Sequence, residues 1–423
     1  MLTSAQHFFA LVLTLNKYLL NVCLIICSTA ATANLKAQTD KSLKDSGNTL
    51  KSSVKTGNWA DKVSIRGYMQ VRYNRLLETN GQLKCEQCDR SWGKDGGFFI
   101  RRMRIIFFGQ LSKQVYFYVQ PDFASSAGTT GHVAQLRDAY FDVGFDKENE
   151  FRLRIGQSKV PFGFENMQSS QNRLPLDRND ALNSAVSNER DLGAFFYWAP
   201  SKTRKVFSDL VRDGYKGSGD YGVFAFGAYN GQTANQTERN DRPHIVGRLS
   251  YPFSIGSQII EPGIQAYTGK FALLSTNEKT KKVASTEYLD QRAAASFILY
   301  PKPFGITAEY NVGTGPEFNK ITDSVENRNL SGGYVTLSYM IKGKNQTLIP
   351  FVRYQTYNGG KKHEIDARSY RIKEFEVGAE WQPSKNFELV VMYTISDRRF
   401  EDYKVQENRQ KGQLLRLQAQ MNF

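Results

Sequence analysis

The chain has 423 residues, 40% hydrophobic and 13% aromatic, with 28 Phe, 22 Tyr, 34 Gly and a formal net charge of +15. A mean hydropathy of −0.49 excludes a bundle of membrane-crossing helices, while the length admits several soluble domains or one large β-barrel. The basic excess points to nucleic acid, an anionic surface or anionic solutes, and no helix–turn–helix, zinc-finger or RNA-binding motif supports the first.

The apolar stretch from Phe8 to Ala33 is interrupted by Asn16, Lys17 and Asn21, which makes it a poor membrane anchor. Small-x-small sites follow at Ala31–Ala33 and Leu35–Ala37. Residues 1–37 therefore read as an export signal. Val22 and Ile26 before Cys23 and Cys27 are too large for lipid attachment. Removing this segment takes away Lys17 and Lys36, so 54 basic minus 41 acidic residues leaves +13. Export makes nucleic acid an unsuitable partner and leaves anionic solutes. Residues 38–61 are polar, rich in Lys and Ser, and read as a flexible lead-in.

From residue 62 to 423 segments of about ten alternating residues recur, separated by Gly, Asn, Asp and Lys clusters. Ile65, Met69, Val71 and Tyr73 alternate with Arg66, Tyr68, Gln70 and Arg72. Met103, Ile105 and Phe107 oppose Arg102 and Arg104, and Leu153 and Ile155 oppose Arg152 and Arg154. Strands are also expected near 115–119, 136–145, 194–199, 221–230, 244–251, 260–271, 290–300, 305–313, 333–341 and 348–357. Phe375, Val377 and Trp381 oppose Glu374, Glu376 and Glu380, and Phe387 to Ile395 alternate likewise. The last segment alternates from Leu415 and stops on Phe423, as the closing strand of an outer-membrane barrel would. The expected fold is all-β: a transmembrane antiparallel barrel of about sixteen strands, wide enough to hold an aqueous lumen. No helix-period segment competes after the export signal.

Several stretches resemble the phosphate-selective porin O and P family. Phe99-Ile-Arg-Arg-Met-Arg104, Gly109-Gln-Leu111 and Tyr118-Val-Gln-Pro-Asp122 are similar to its second and third strands. Leu136-Arg-Asp-Ala-Tyr140 matches the next, Arg154 to Gly163 the approach to a long constriction loop, and Glu189-Arg-Asp-Leu-Gly193 its exit. The resemblance implies a trimeric outer-membrane channel with a basic pore, in some members selective for phosphate or polyphosphate.

Between Phe162 and Leu192 runs an unusually long connection carrying Arg173, Asp177, Arg178, Asp180, Glu189 and Arg190. Folded inward, it would constrict the lumen and bring charge close to a passing ion. Arg66, Arg72, Arg102, Arg104, Arg152, Arg154, Arg248, Arg292, Arg353 and Arg416 fall on polar faces by alternation. With Arg173, Arg178 and Arg190 they make thirteen candidate pore-lining, anion-binding arginines, and the guanidinium fork suits phosphate. The alternative for each is neutralisation by an inward acid such as Asp138, Asp142, Glu309, Glu376 or Glu380. The free ladder is favoured for Arg102, Arg104, Arg152 and Arg154, whose strand neighbours carry the fewest inward acids. The expected function is passive, anion-preferring diffusion through an arginine-lined pore in the bacterial outer membrane, with lipid and a homotrimer as partners.

A general porin with a neutralised lumen is the alternative, and a barrel enzyme or adhesin the rival from another class. An enzyme would need a Ser–His pair, and of His132, His244 and His363 only His244 lies in an expected strand. Cys85-Glu-Gln-Cys88 lacks a second ligand pair for zinc and reads as a local disulfide. Gly214 to Gly219 follows no parallel-sheet strand and opens no helix, so it is no phosphate-binding loop. No cofactor or metal is implied.

Overall fold

The computed structural model describes residues 62–76, 96–125, 132–273, 287–406 and 408–423. The export signal, the polar lead-in before residue 62 and the Cys85–Cys88 pair lie outside the described residues.

Sixteen strands form one antiparallel sheet closed on itself. In chain order they are β1 (Ser64–Leu76), β2 (Gly96–Gln110), β3 (Val115–Ser125), β4 (His132–Gly144), β5 (Phe151–Lys159), β6 (Arg190–Trp198), β7 (Phe224–Tyr229) and β8 (His244–Ser250, prolonged by Phe253–Ile255). There follow β9 (Gln258–Ala272), β10 (Glu287–Leu299), β11 (Phe304–Asn319), β12 (Ser324–Tyr339, prolonged by Ile341–Lys342), β13 (Thr347–Gly360), β14 (Ser369–Ser384), β15 (Phe387–Glu401) and β16 (Asn408–Asn422). Closure is direct: β1 pairs with β2 on one edge and with β16 on the other, Arg72 standing opposite Gln418. Most connections at one end are short, as at 111–114 and 385–386, the exception being 199–223, which carries a helix. The other end carries longer ones such as 160–189, the asymmetry of an outer-membrane barrel.

The two faces of the wall show which medium surrounds it. On β14, Phe375 and Val377 are each 43% exposed, whereas Glu374, Glu376 and Glu380 are buried. A soluble barrel would bury the first set and expose the second. An apolar outer face with charges turned inward is the polarity of a barrel set in lipid.

Two features depart from strict alternation. Opposite Gln70 and Val71 the register slips from Arg102 to Ile100, making Arg101 a β-bulge residue. Opposite Gln120 and Pro121 it slips from Asp138 to Leu136, and Arg137 is the extra residue. A bulge turns two successive side chains to the same side, so Arg101 and Arg137 are buried beside Arg102 and Asp138. The expectation of no helix after the signal also fails. Ser201–Arg212 forms a twelve-residue helix between β6 and β7 that buries Thr203, Phe207 and Leu210, at i, i+4 and i+7. Its apolar stripe is only three residues wide among Lys202, Arg204, Lys205, Asp209 and Arg212, which hid the period.

Candidate functional site

The connection 160–189 begins where β5 runs out. Gly163 (φ 85) turns the chain into a one-turn helix, Phe164–Met167 (α1). The Asn179 side chain accepts the Leu182 N–H at 2.9 Å and so caps a second, Asp180–Asn183 (α2). Apolar patches of the connection meet apolar patches of the wall. Phe162, Ala181, Leu182 and Val186 pack among Tyr229, Val246, Tyr267 and Tyr357, and Leu174 and Leu176 among Ile349, Phe351 and Met392.

Polar contacts tie the same segment to strands around the ring. From β1, Arg72 donates to Asp177 (2.8 Å) and to the Leu176 carbonyl (2.9 Å). From β16, Arg416 reaches the same Asp177 carboxylate at 2.7 Å, and from β13 Arg353 reaches Glu165 (2.9 Å) and the Asp177 carbonyl (3.0 Å). Arg292 of β10 donates to Ala181 O and Ser184 Oγ, and Arg398 of β15 to Asp180 at 3.0 Å. Glu309 of β11 accepts the backbone N–H groups of Phe164 and Glu165. Just beyond β13, Lys361 reaches Asp180 at 2.6 Å. Burial alone would raise the Asp177 carboxyl, but Arg72, Arg101, Arg416 and Arg173 outweigh it and hold it well below the usual carboxylate range. Burial likewise opposes ionisation of Asp180, which Arg398 and Lys361 nonetheless pull down to about 2.

Beside this segment, Arg101, Arg102, Arg104, Arg137 and Arg178 converge on a cavity of about 260 Å³, with Asp122, Asp177 and Glu189 in its wall. Arg104 pairs with Asp122 (2.9 Å), Arg178 with Glu189 (2.8 Å), Arg137 with Glu189 (3.5 Å) and Arg101 with Asp177 (3.2 Å). Arg102 differs. It donates to the Gln70 side chain at 3.1 Å and has no ion pair among the described residues. Arg173 also lacks one there; it donates to Leu176 O at 3.3 Å while its Nε and one terminal nitrogen have no partner. Burial pushes both loop guanidinium groups down, Arg173 and Arg178, the latter to about 9.

Carboxylates reach nine of the thirteen candidate arginines. Besides Arg72, Arg104, Arg178, Arg353 and Arg416, these are Arg152 (Asp220, 2.9 Å), Arg154 (Asp142, 2.7 Å), Arg190 (Asp138, 2.9 Å) and Arg248 (Glu261, 3.0 Å). Arg66, Arg102, Arg173 and Arg292 have none among the described residues; Arg66 is exposed, 5.0 Å over the Phe108 ring. The expectation that Arg104, Arg152 and Arg154 would stand free with Arg102 is thereby corrected. Their acids come from a neighbouring strand (Asp122, Asp142) and from the segment after the 201–212 helix (Asp220). Of the inward acids expected to neutralise arginine, Asp138, Asp142 and Glu376 do so. Glu309 instead holds the α1 backbone, and Glu380 takes Lys216. Sequence reading missed Arg101 and Arg137 as site residues, because only the bulges bring them to this face.

His244 is buried, its Nε2 3.0 Å from Asp290, with Gly231 and Gly269 so close that a Cβ at either would strike the ring. Its partner is a carboxylate, so the arrangement is not the Ser–His pair of the enzyme reading. His363 packs edge-on against Phe271.

A solved outer-membrane channel, DcaP of Acinetobacter baumannii, is similar in fold at TM-score 0.53 and 13% identity, over 85% of this chain and 97% of that one. OmpF of Salmonella typhi, solved with daunomycin, aligns at TM-score 0.54 and 13% identity over 86% and 99%. No protein in the curated set matches the chain. The model of the family described as phosphate-selective porin O and P matches residues 81–423. The closed sixteen-strand wall, its apolar exterior and that match agree: the chain belongs to the phosphate-selective porin O and P family, and is a porin of the bacterial outer membrane.

Proposed function

We propose that this porin passes small anions in preference to cations, oxyanions of the phosphate class among them, with the 160–189 connection as its constriction. The observation that carries the reading is Arg102: a buried guanidinium without its own carboxylate, beside Arg101, Arg104 and Arg173, on the wall of a charged cavity. Paired arginines mainly neutralise one another's surroundings, whereas an unpaired one leaves a favourable place for a transient anion. Planar guanidinium forks meet phosphate oxygens in pairs, and the family's name points to the same solute class. Release is fast if the neighbouring carboxylates of Asp122 and Glu189 keep the site from being a trap. A homotrimer is the assembly we infer from the family.

The nine ion-paired arginines favour a second reading, a general pore with a neutralised lumen. Reversal potentials in a planar bilayer under a salt gradient separate the two. An anion-selective potential that moves toward zero in Arg102→Gln, with phosphate blocking the chloride current less in that variant, supports the first. A potential near zero in the wild type, or one unchanged by Arg102→Gln, supports the second.

A further inference from the structure

At the long-connection ends of β14, β15 and β16, two rows of charge stand in register on the outer wall. Arg371, Arg399 and Arg409 are direct cross-strand neighbours, and two residues nearer the middle of the wall so are Lys373, Asp397 and Lys411. All point away from the lumen. Arg371 and Lys373 share a face with the exposed Phe375 and Val377, and Arg409 and Lys411 are 60% and 63% exposed at the side chain. Five bases thus face two acids: Arg409 and Lys411 share Asp397 (2.7 and 3.8 Å), and Arg399 takes Glu401 (2.6 Å). Arg371 and Lys373 have no ion pair among the described residues. Arg371 and Arg399 also line a cavity of about 440 Å³ with Lys320 and Arg328, four bases against Glu317 and Glu401, the latter also reached by Lys320 at 3.3 Å.

This patch sits where the apolar band ends. Below it the same outward face continues as Phe375, Val377, Val391, Ile395 and Leu417, all exposed. At the long-connection end of an outer-membrane barrel that boundary meets the head groups of the outer leaflet. Clustered basic residues next to an apolar surface recognise anionic head groups, and guanidinium forks suit phosphate in particular. We propose that the outer wall of β14–β16 binds the phosphorylated head group of an outer-leaflet glycolipid, its acyl chains lying along Phe375, Val377, Val391 and Leu417. The patch is outside the lumen, so this lipid site is separate from ion passage.

The test uses the full protein purified in detergent and native mass spectrometry, with bisphosphorylated lipid A and its dephosphorylated form as probes. The proposal expects retention of the phosphorylated lipid to exceed that of the dephosphorylated one by about tenfold. In Arg371→Gln/Lys373→Gln/Lys411→Gln the preference should vanish while conductance and heat-shifted electrophoretic mobility stay as in the wild type. If the triple variant fails to fold, Lys373→Gln alone should lower the preference. Equal retention of the two lipids, an unchanged preference in the folded variant, or displacement of the lipid by millimolar inorganic phosphate would overturn it, the last by marking a free-anion site.

Discussion

Gly67 and Phe423 close the barrel together: the Gly67 N–H donates to the Phe423 carbonyl at 2.7 Å, and the Phe423 N–H to the Gly67 carbonyl at 2.9 Å. The Phe423 ring lies where a Gly67 side chain would stand, 2.5 Å from the position of a Cβ. Gly67→Val forces the ring out or the strands apart, at a cost of about 1–3 kcal/mol. The expected outcome is a lower yield of folded, heat-shiftable barrel on electrophoresis, with removal of Phe423 having the same effect. Wild-type yields from both variants would refute the role assigned to this pair.

Asp177 balances three guanidinium groups, those of Arg72, Arg101 and Arg416. Asp177→Asn keeps the shape and removes the charge, leaving buried Arg72 without its carboxylate and Arg416 with Glu376 alone. Breaking such buried pairing costs about 3–5 kcal/mol. The variant should therefore unfold at a lower temperature than the wild type while its reversal potential moves toward stronger anion preference. A lower melting temperature with an unchanged potential would place Asp177 in stability alone.

The carboxylate anchors within the 160–189 connection should be insensitive to ordinary acidity. Asp177, Asp180 and Glu189 all titrate below their usual range in the folded protein, Asp180 at about 2. A depressed carboxylate contributes its full stability above its unfolded value, about 3.9 for Asp, and loses it as pH falls through the folded value. The excess single-channel current noise of Asp180→Asn over the wild type should stay constant from pH 8 to about 4 and shrink only below that, as the Asp180 anchor to Lys361 and Arg398 is protonated in the wild type. In Asp180→Asn the noise should be raised already at pH 7. A fall in that excess between pH 7 and 5 would overturn the assignment of this anchor.

Arg101 and Arg137 should matter to selectivity although alternation assigns both to the outer face. Arg101→Gln and Arg137→Gln are each expected to reduce the anion-to-cation permeability ratio about as much as Arg104→Gln, by roughly 2-fold or more if local potential governs entry. Arg75→Gln, on the outward face of β1, serves as the control and should leave the ratio unchanged.

Most of the wall was legible from local pattern. A period of two is set by the pleat of each strand, so Glu374, Glu376 and Glu380 on one side and Phe375 and Val377 on the other could be assigned without knowing their neighbours. The number of strands and the closing aromatic follow from the same local rule, repeated along the chain. The charge state of the lumen did not, because its partners meet across the ring: Asp177 binds Arg72, 105 residues away, and Arg416, 239 residues away. The amino-acid sequence by itself determined a sixteen-strand barrel with arginines on its inner face. Only the tertiary structure decided which of them are neutralised, through contacts made by one connection with remote strands, and which join from a bulge, as Arg101 and Arg137 do, since one extra residue in a strand reverses the side on which the next stands.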